Sequence, residues 1–114
     1  MKLRKLVEEF DLEVKCGANE LDREIRGGYV SDLLSDVIAN GRAGDLWITL
    51  QIHRNIVGVA SLKDLAAIVI INGRQPEEET IKKAENEAIP IVVSKLPAFE
   101  LVGRLYDAGI SGTR

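Results

Sequence analysis

The chain has 114 residues, of which 46% are hydrophobic and 29% charged: enough apolar material for the core of one domain, and too much for a disordered chain. A formal net charge of −3 argues against a dedicated nucleic-acid binder, which carries a basic face. A single cysteine rules out an intrachain disulfide and suits a reducing cytoplasm, no apolar run approaches the roughly 20 residues that span a bilayer, and Glu8 and Glu9 interrupt too early for a signal peptide.

Leu3, Leu6, Val7 and Phe10 recur at helical spacing and predict an amphipathic helix over residues 2–10. Residues 12–16 alternate apolar and polar, the pattern of a half-exposed strand, and Gly17-Ala18-Asn19 breaks it. Residues 24–26 lead into a strand that Gly27, Gly28, Tyr29 and Val30 continue. Ser31 follows as an N-cap, Leu33, Leu34, Val37 and Ile38 form one helical face, and Gly41 suits a left-handed C-terminal residue.

Residues 46–50 are a nearly unbroken apolar run, as expected of a strand covered on both faces. The next helix starts near Asn55 and carries Ile56, Val57, Val59, Ala60 and Leu62. Gly58 inside it costs up to about 1 kcal/mol against alanine, which points to close packing there. Residues 66–71 are all apolar and read as the central strand. Asn72-Gly73 ends it and Pro76 takes the first helical position. Glu77, Glu78 and Glu79 form a solvated helix start, with Glu78 to Lys82 and Glu79 to Lys83 as i,i+4 pairs. Residues 89–93 form the last strand, begun by Ile89-Pro90, and a final helix from about Pro97 carries Phe99, Val102, Leu105 and Tyr106.

The rhythm of apolar run and amphipathic stretch occurs four times, at residues 28–40, 46–65, 66–88 and 89–108. It predicts an α/β fold: a single three-layer domain over residues 1–114, with a mainly parallel five-stranded sheet flanked by helices. Such sheets bind ligands at the strand C-terminal ends. Those ends carry Ser31-Asp32, Thr49, Gln51 and His53, Asn72-Gly73, and Ser94-Lys95. Gly27 and Gly28 before a helix start allow close backbone approach to an anion, although no Gly-x-x-x-x-Gly-Lys-Ser/Thr phosphate loop occurs. The candidate ligand-binding residues are therefore Gly27, Gly28, Ser31, Thr49, Gln51, His53, Asn72, Gly73 and Ser94.

No catalytic set emerges. His53 is the sole histidine, and an enzymatic reading needs it beside Asp22, Asp32 or Ser94. One cysteine and one histidine do not build a usual zinc site, so neither metal nor cofactor is expected. Cys16 reads as a small packing residue, and Trp47 and Tyr29 as core or interface.

Residues 21–34, Leu21-Asp22-Arg23-Glu24-Ile25-Arg26-Gly27-Gly28-Tyr29-Val30-Ser31-Asp32-Leu33-Leu34, resemble the signature region of DRTGG-domain proteins. Gly27-Gly28 matches the glycine pair, Arg26 stands where the threonine of the name falls, and Glu24 and Ile25 replace its aspartate and arginine. The likeness continues through Gly44-Asp45-Leu46-Trp47-Ile48-Thr49, Asn72-Gly73 and Ala88-Ile89-Pro90-Ile91, and ends near Phe99-Glu100-Leu101. The later part is also similar to the N-terminal domain of HPr kinase/phosphorylases, where an Ile-Pro step, a Ser/Thr and a Phe precede the last helix. The resemblance implies a regulatory α/β domain of the kind found beside CBS pairs and phosphate-transferring enzymes, here standing alone without the P-loop domain that carries kinase activity. The expected function is a cytoplasmic regulatory domain that forms a homodimer, modulates a partner enzyme and senses a small anionic ligand such as a nucleotide. The alternative is a structural interaction module without a ligand.

Overall fold

In the computed structural model, which describes residues 1–113, the elements run α1 (Leu3–Glu9), β1 (Glu13–Cys16), a 3-10 turn (Ala18–Glu20), β2 (Gly27–Val30), α2 (Leu34–Asn40), β3 (Asp45–Thr49), α3 (Asn55–Leu62), β4 (Ala67–Ile70), α4 (Glu78–Asn86), β5 (Ile91–Val93) and α5 (Ala98–Asp107). The strands form one sheet in the order β1-β5-β4-β3-β2. Strands β2 to β5 pair in parallel, as repeated βα units require, whereas β1 joins β5 antiparallel. The sheet is therefore mixed. No crossover links β1 to β5, so the handedness of βαβ units places no demand on its direction.

β3, β4 and β5 are buried at every position because helices cover both faces of the sheet. Alternation sends Leu46, Ile48, Val69 and Val92 to one face, under Leu3 and Leu6 of α1 and Leu101 and Leu105 of α5. It sends Trp47, Ile68, Ile70 and Ile91 to the other, under Val37 of α2, Ile56, Val57 and Ala60 of α3, and Ala84 of α4. The three layers follow from that division.

Spacing located the helices, but not always the side each one buries. In α2 only Val37 is fully buried, while Leu33 and Ile38 are exposed; Leu62 at the end of α3 is exposed too. In α5 the core side is Leu101 and Leu105, and Phe99 and Tyr106 point away from it. That helix carries two apolar stripes, and only packing decides which meets the sheet.

Three local expectations also change. Gly41 is extended rather than left-handed (φ −65°, ψ 150°), and a Cβ there would lie 2.7 Å from the Val37 carbonyl oxygen, so glycine serves close approach. Pro76 precedes the helix instead of opening it, because α4 begins at Glu78. Gly58 is not closely packed: a Cβ would meet only Lys83 Nζ, at 3.5 Å, so its helix-propensity cost has no packing reason.

Long-range clasps set the strand ends. Arg23 donates from its guanidinium to the Ala66 and Ala88 carbonyls, tying the approach to β2 against the starts of β4 and β5. The C-terminal tail crosses the open edge of β2, where the Gly28 N–H donates to the Ser111 carbonyl at 3.0 Å. A Cβ at Gly28 would stand 3.3 Å from Ile110 Cγ2, so this glycine lets the buried Ile110 sit close against the edge strand. That cover occupies a backbone donor which an edge strand would otherwise offer to another chain.

Candidate functional site

The parallel strands deliver their polar ends to one rim, and hydrogen bonds join the loops there into a continuous band. Asp32, two residues past β2, is the hub. Its Oδ1 accepts from Thr49 Oγ1 at 2.8 Å and from the Leu50 N–H at 2.7 Å. Its carbonyl accepts from Gln51 Nε2 at 2.9 Å, and the Gln51 N–H donates to Thr49 Oγ1 at 3.2 Å. The loops after β2 and β3 are thereby one unit.

The next joint links β3 to β4. Arg74 Nη1 donates to the Leu50 carbonyl at 2.6 Å, and Thr80 Oγ1 and the Glu77 N–H donate to the Ile52 carbonyl at 2.8 and 3.2 Å. Asn72 and Gly73, at φ 58° and 65°, form the tight turn in which the Arg74 N–H returns to the Ile71 carbonyl. That turn aims two further donors at the β5 end: the Asn72 N–H bonds the Leu96 carbonyl at 3.0 Å and the Gly73 N–H the Ser94 carbonyl at 2.8 Å. Ser94 is buried, and its Oγ accepts from the Leu96 N–H at 3.1 Å.

The structure brings Ser31, Thr49, Gln51, Asn72, Gly73 and Ser94 onto this rim, mostly as the groups that hold its loops together. Gly27 and Gly28 lie elsewhere, within β2 and paired with Asp45 and Leu46. Ser31 does not cap α2. Its Oγ accepts from the Leu33 N–H at 3.2 Å, its carbonyl accepts from the Trp47 indole at 2.8 Å, and the helix starts three residues later. His53 is exposed on the loop before α3, its Nδ1 3.0 Å from Glu77 Oε1. Of its suggested partners, Asp32 is engaged by Thr49 and Leu50, Ser94 by Leu96, and Asp22 by Arg4 at 3.1 Å.

Sequence reasoning missed the joining role of Asp32 and Arg74. The available signal was positional: each stands just beyond a strand end, where a neighbouring loop presents unpaired backbone groups. Of the expected α4 pairs Glu78–Lys82 and Glu79–Lys83, Glu79 instead meets Arg54 at 3.4 Å, and Glu77, outside both pairs, lies beside His53.

A second polar cluster buttresses the outer strand. Tyr29 Oη donates to Asp36 at 2.8 Å and Asn40 Nδ2 donates to the same carboxylate at 2.9 Å. The Ser31 hydroxyl, the Tyr29 phenol and the Asn40 amide hold the Asp36 carboxyl below the ordinary aspartate value, and the same contact pushes the Tyr29 phenol up. Tyr29 and Asn40 are the donors at hydrogen-bond distance from the Asp36 carboxylate. The depressed carboxyl supports the fold above its unfolded-state pKa, and that support fades as pH falls through the folded value. Carbon-detected NMR titration is expected to give Asp36 a midpoint below that of an ordinary aspartate, and Tyr29→Phe to raise it; an unchanged midpoint in the variant contradicts the assignment.

Cys16 is buried, with Sγ 3.7 Å from the Ile89 carbonyl, and burial pushes its thiol pKa up, which suits packing rather than nucleophilic chemistry. Among the described residues no group of three or more His, Cys, Asp or Glu side chains is placed to hold a metal ion, and no helix is long and apolar enough to cross a membrane. A depression of about 240 Å³ touches the rim between Leu12 and Glu13, Gly73 and Gln75, and Lys95. It is smaller than the roughly 300–1,000 Å³ pockets that enclose drug-sized ligands.

No protein-family model matches the chain, and no curated protein matches it. Among solved structures, it is similar to the CBS and DRTGG domains of the regulatory region of Clostridium perfringens pyrophosphatase, complexed with the activator diadenosine tetraphosphate. The TM-score is 0.71 at 13% identity, over 90% of this chain and 44% of that one, so the chain spans less than half the length of its neighbour. The likeness establishes a shared fold with that regulatory region.

Proposed function

We propose that this chain is a regulatory domain, not an enzyme, that senses a small anionic ligand such as a nucleotide at its polar rim, self-associates and modulates a partner enzyme. The observation that carries the reading is the rim itself: four strand ends, joined by Asp32, Arg74 and Ser94 into one fixed surface at the place where parallel sheets take ligands. Asn72 and Lys95 are exposed on that surface, a carboxamide and an ammonium suited to phosphate oxygens. The pyrophosphatase region with the same fold was solved with a nucleotide activator, which supports the choice of ligand class. The Ile89-Pro90-Ile91 step, Ser94 and Phe99 extend the proposed kinship to the N-terminal domain of HPr kinase/phosphorylases.

Thermal unfolding with ATP, diadenosine tetraphosphate and inorganic phosphate tests this. A ligand at about 100 times its dissociation constant stabilises the fold by about 2.7 kcal/mol. The expected result is an upward shift with at least one nucleotide that Lys95→Ala and Asn72→Ala diminish. No shift from any of the three at millimolar concentration overturns the sensing role. The second reading, an interaction module without a ligand, is favoured by one observation: the Asp32, Thr49, Gln51 and Ser94 side chains are already engaged in holding the rim loops.

A further inference from the structure

We propose that the Asn72-Gly73 turn is a site of spontaneous covalent modification, in which Asn72 becomes aspartate or isoaspartate at a rate gated by the hydrogen bond between Gly73 and the end of β5. The chain has two Asn-Gly steps, at residues 40–41 and 72–73. Both are chemically vulnerable, because a glycine has no side chain to shield its amide nitrogen from the side chain before it. The reaction needs only water. The Gly73 nitrogen gives its proton to solvent and attacks Asn72 Cγ. The bond from Cγ to the side-chain nitrogen then breaks, and that nitrogen takes a proton from solvent and leaves as ammonia. Water opens the cyclic imide at either carbonyl, so one water is consumed for each ammonia released.

The fold treats the two steps differently. Asn40 is the last residue of α2, and its Nδ2 donates to Asp36 Oδ1 at 2.9 Å. The Gly41 N–H donates to the Val37 carbonyl at 2.7 Å, and both Gly41 and Val37 are buried. Freeing that nitrogen unwinds the end of α2 and loosens a residue of the core. The Asp36 carboxylate also stands beside the group that must accept negative charge, which opposes the attack.

Asn72 and Gly73 are both exposed and belong to no helix or strand. Among the described residues no hydrogen bond holds the Asn72 carboxamide, and a Cβ on Gly73 would meet nothing within 4 Å. The cyclic imide therefore has room to form. Its restraint is the bond from the Gly73 N–H to the Ser94 carbonyl at 2.8 Å, beside that from the Asn72 N–H to the Leu96 carbonyl at 3.0 Å. Opening this pair requires only that two loops part, a smaller fluctuation than fraying a buried helix end. The product changes the rim. It puts a carboxylate where a carboxamide stood, in a turn bonded to the residue before Lys95, and isoaspartate also lengthens the turn backbone by a methylene. Loss of response to an anionic ligand follows, a consequence that rests on the sensing role proposed above, whereas the modification itself does not.

Incubating the full chain in heavy-oxygen water at mildly alkaline pH, folded and in urea, and mapping its peptides by mass spectrometry tests the proposal. In urea, Asn40 and Asn72 are expected to convert at similar rates. In the folded chain, Asn72 is expected to convert about tenfold more slowly than in urea, and Asn40 about tenfold more slowly again. Gly73→Ala puts a side chain beside the attacking nitrogen and is expected to suppress conversion at Asn72 in both states while leaving Asn40 unchanged. Thermal melts show that this variant is folded. Equal rates at the two asparagines of the folded chain overturn the proposal. So does an Asn72 that converts as fast folded as unfolded, one that converts only in urea, or a Gly73→Ala variant that converts unimpeded. ATP-induced thermal shifts keep the two readings apart. Fresh protein without a shift ends the sensing role and leaves the modification standing, whereas a shift that Asn72→Asp loses supports the consequence for the rim.

Discussion

Replacing Gly17 with alanine is expected to destabilise the fold by about 3–4 kcal/mol, among the largest effects available to a single methyl group here. Gly17 sits at φ 81°, and a Cβ there would lie 2.5 Å from Pro90 Cα, 2.9 Å from Pro90 Cβ and 3.0 Å from Pro90 N. The obstacle is backbone, and it is held. The Pro90 carbonyl accepts from the Ile68 N–H at 3.0 Å, and two residues earlier the Ala88 carbonyl is gripped by Arg23. Relief therefore requires β5 to move away from β4, or the antiparallel β1–β5 pairing to open just past Cys16. Gly73→Ala is the control: its φ is 65°, but nothing lies within 4 Å of the added Cβ, so it carries only the left-handed penalty of about 1 kcal/mol. Thermal melts of the two variants should fall by about 15 °C and 4 °C respectively, and equal losses would show that contact with Pro90 is not the cause.

Asp32→Ala is expected to cost about 2–3 kcal/mol and to abolish nucleotide-induced stabilisation, although Asp32 is an exposed residue. The loss falls on the groups left behind. The Thr49 hydroxyl is buried, and it and the Leu50 N–H both donate to the removed carboxylate. With the Asp32 carboxylate gone, only the Gln51 side chain, through the main-chain carbonyl of residue 32, still joins the loops after β2 and β3, and the rim loosens. Asp32→Asn keeps an acceptor oxygen and should lose less than half as much. Urea unfolding measures the stability change, and hydrogen exchange measures the local one. Protection at the Leu50 amide should disappear in Asp32→Ala while β4 stays protected, and loss spread evenly over the sheet would contradict a local joining role.

Both predictions turn on contacts between residues distant in sequence, which marks where sequence reading stopped. The alternation of Leu46, Trp47 and Ile48 and the apolar run of residues 66–71 were legible because a strand covered on both faces has no room for charge. The strand ends were legible for the same reason: Asn72-Gly73 and Ser94 are polar residues directly after runs that exclude polarity. What was not legible was the use made of them. Thr49 and Ser94 stand among the candidate ligand contacts, yet both are buried, the Thr49 hydroxyl serving the neighbouring loop and the Ser94 hydroxyl its own. Gly27 and Gly28 were read as a possible anion cradle, and they lie within an edge strand with Ile110 pressed against the second.

Alone, the sequence determined the number of strands and helices, their order, and the end of the sheet at which polar groups collect. Those features arise from side chains two to four residues apart, whose periodicity is a property of each segment. The direction of β1, the side of α5 left bare and the joining of the rim by Asp32 were decided only by tertiary structure. Each depends on which segments become neighbours across the sheet, and the physical forces that choose those neighbours act between surfaces that do not exist until the segments have packed.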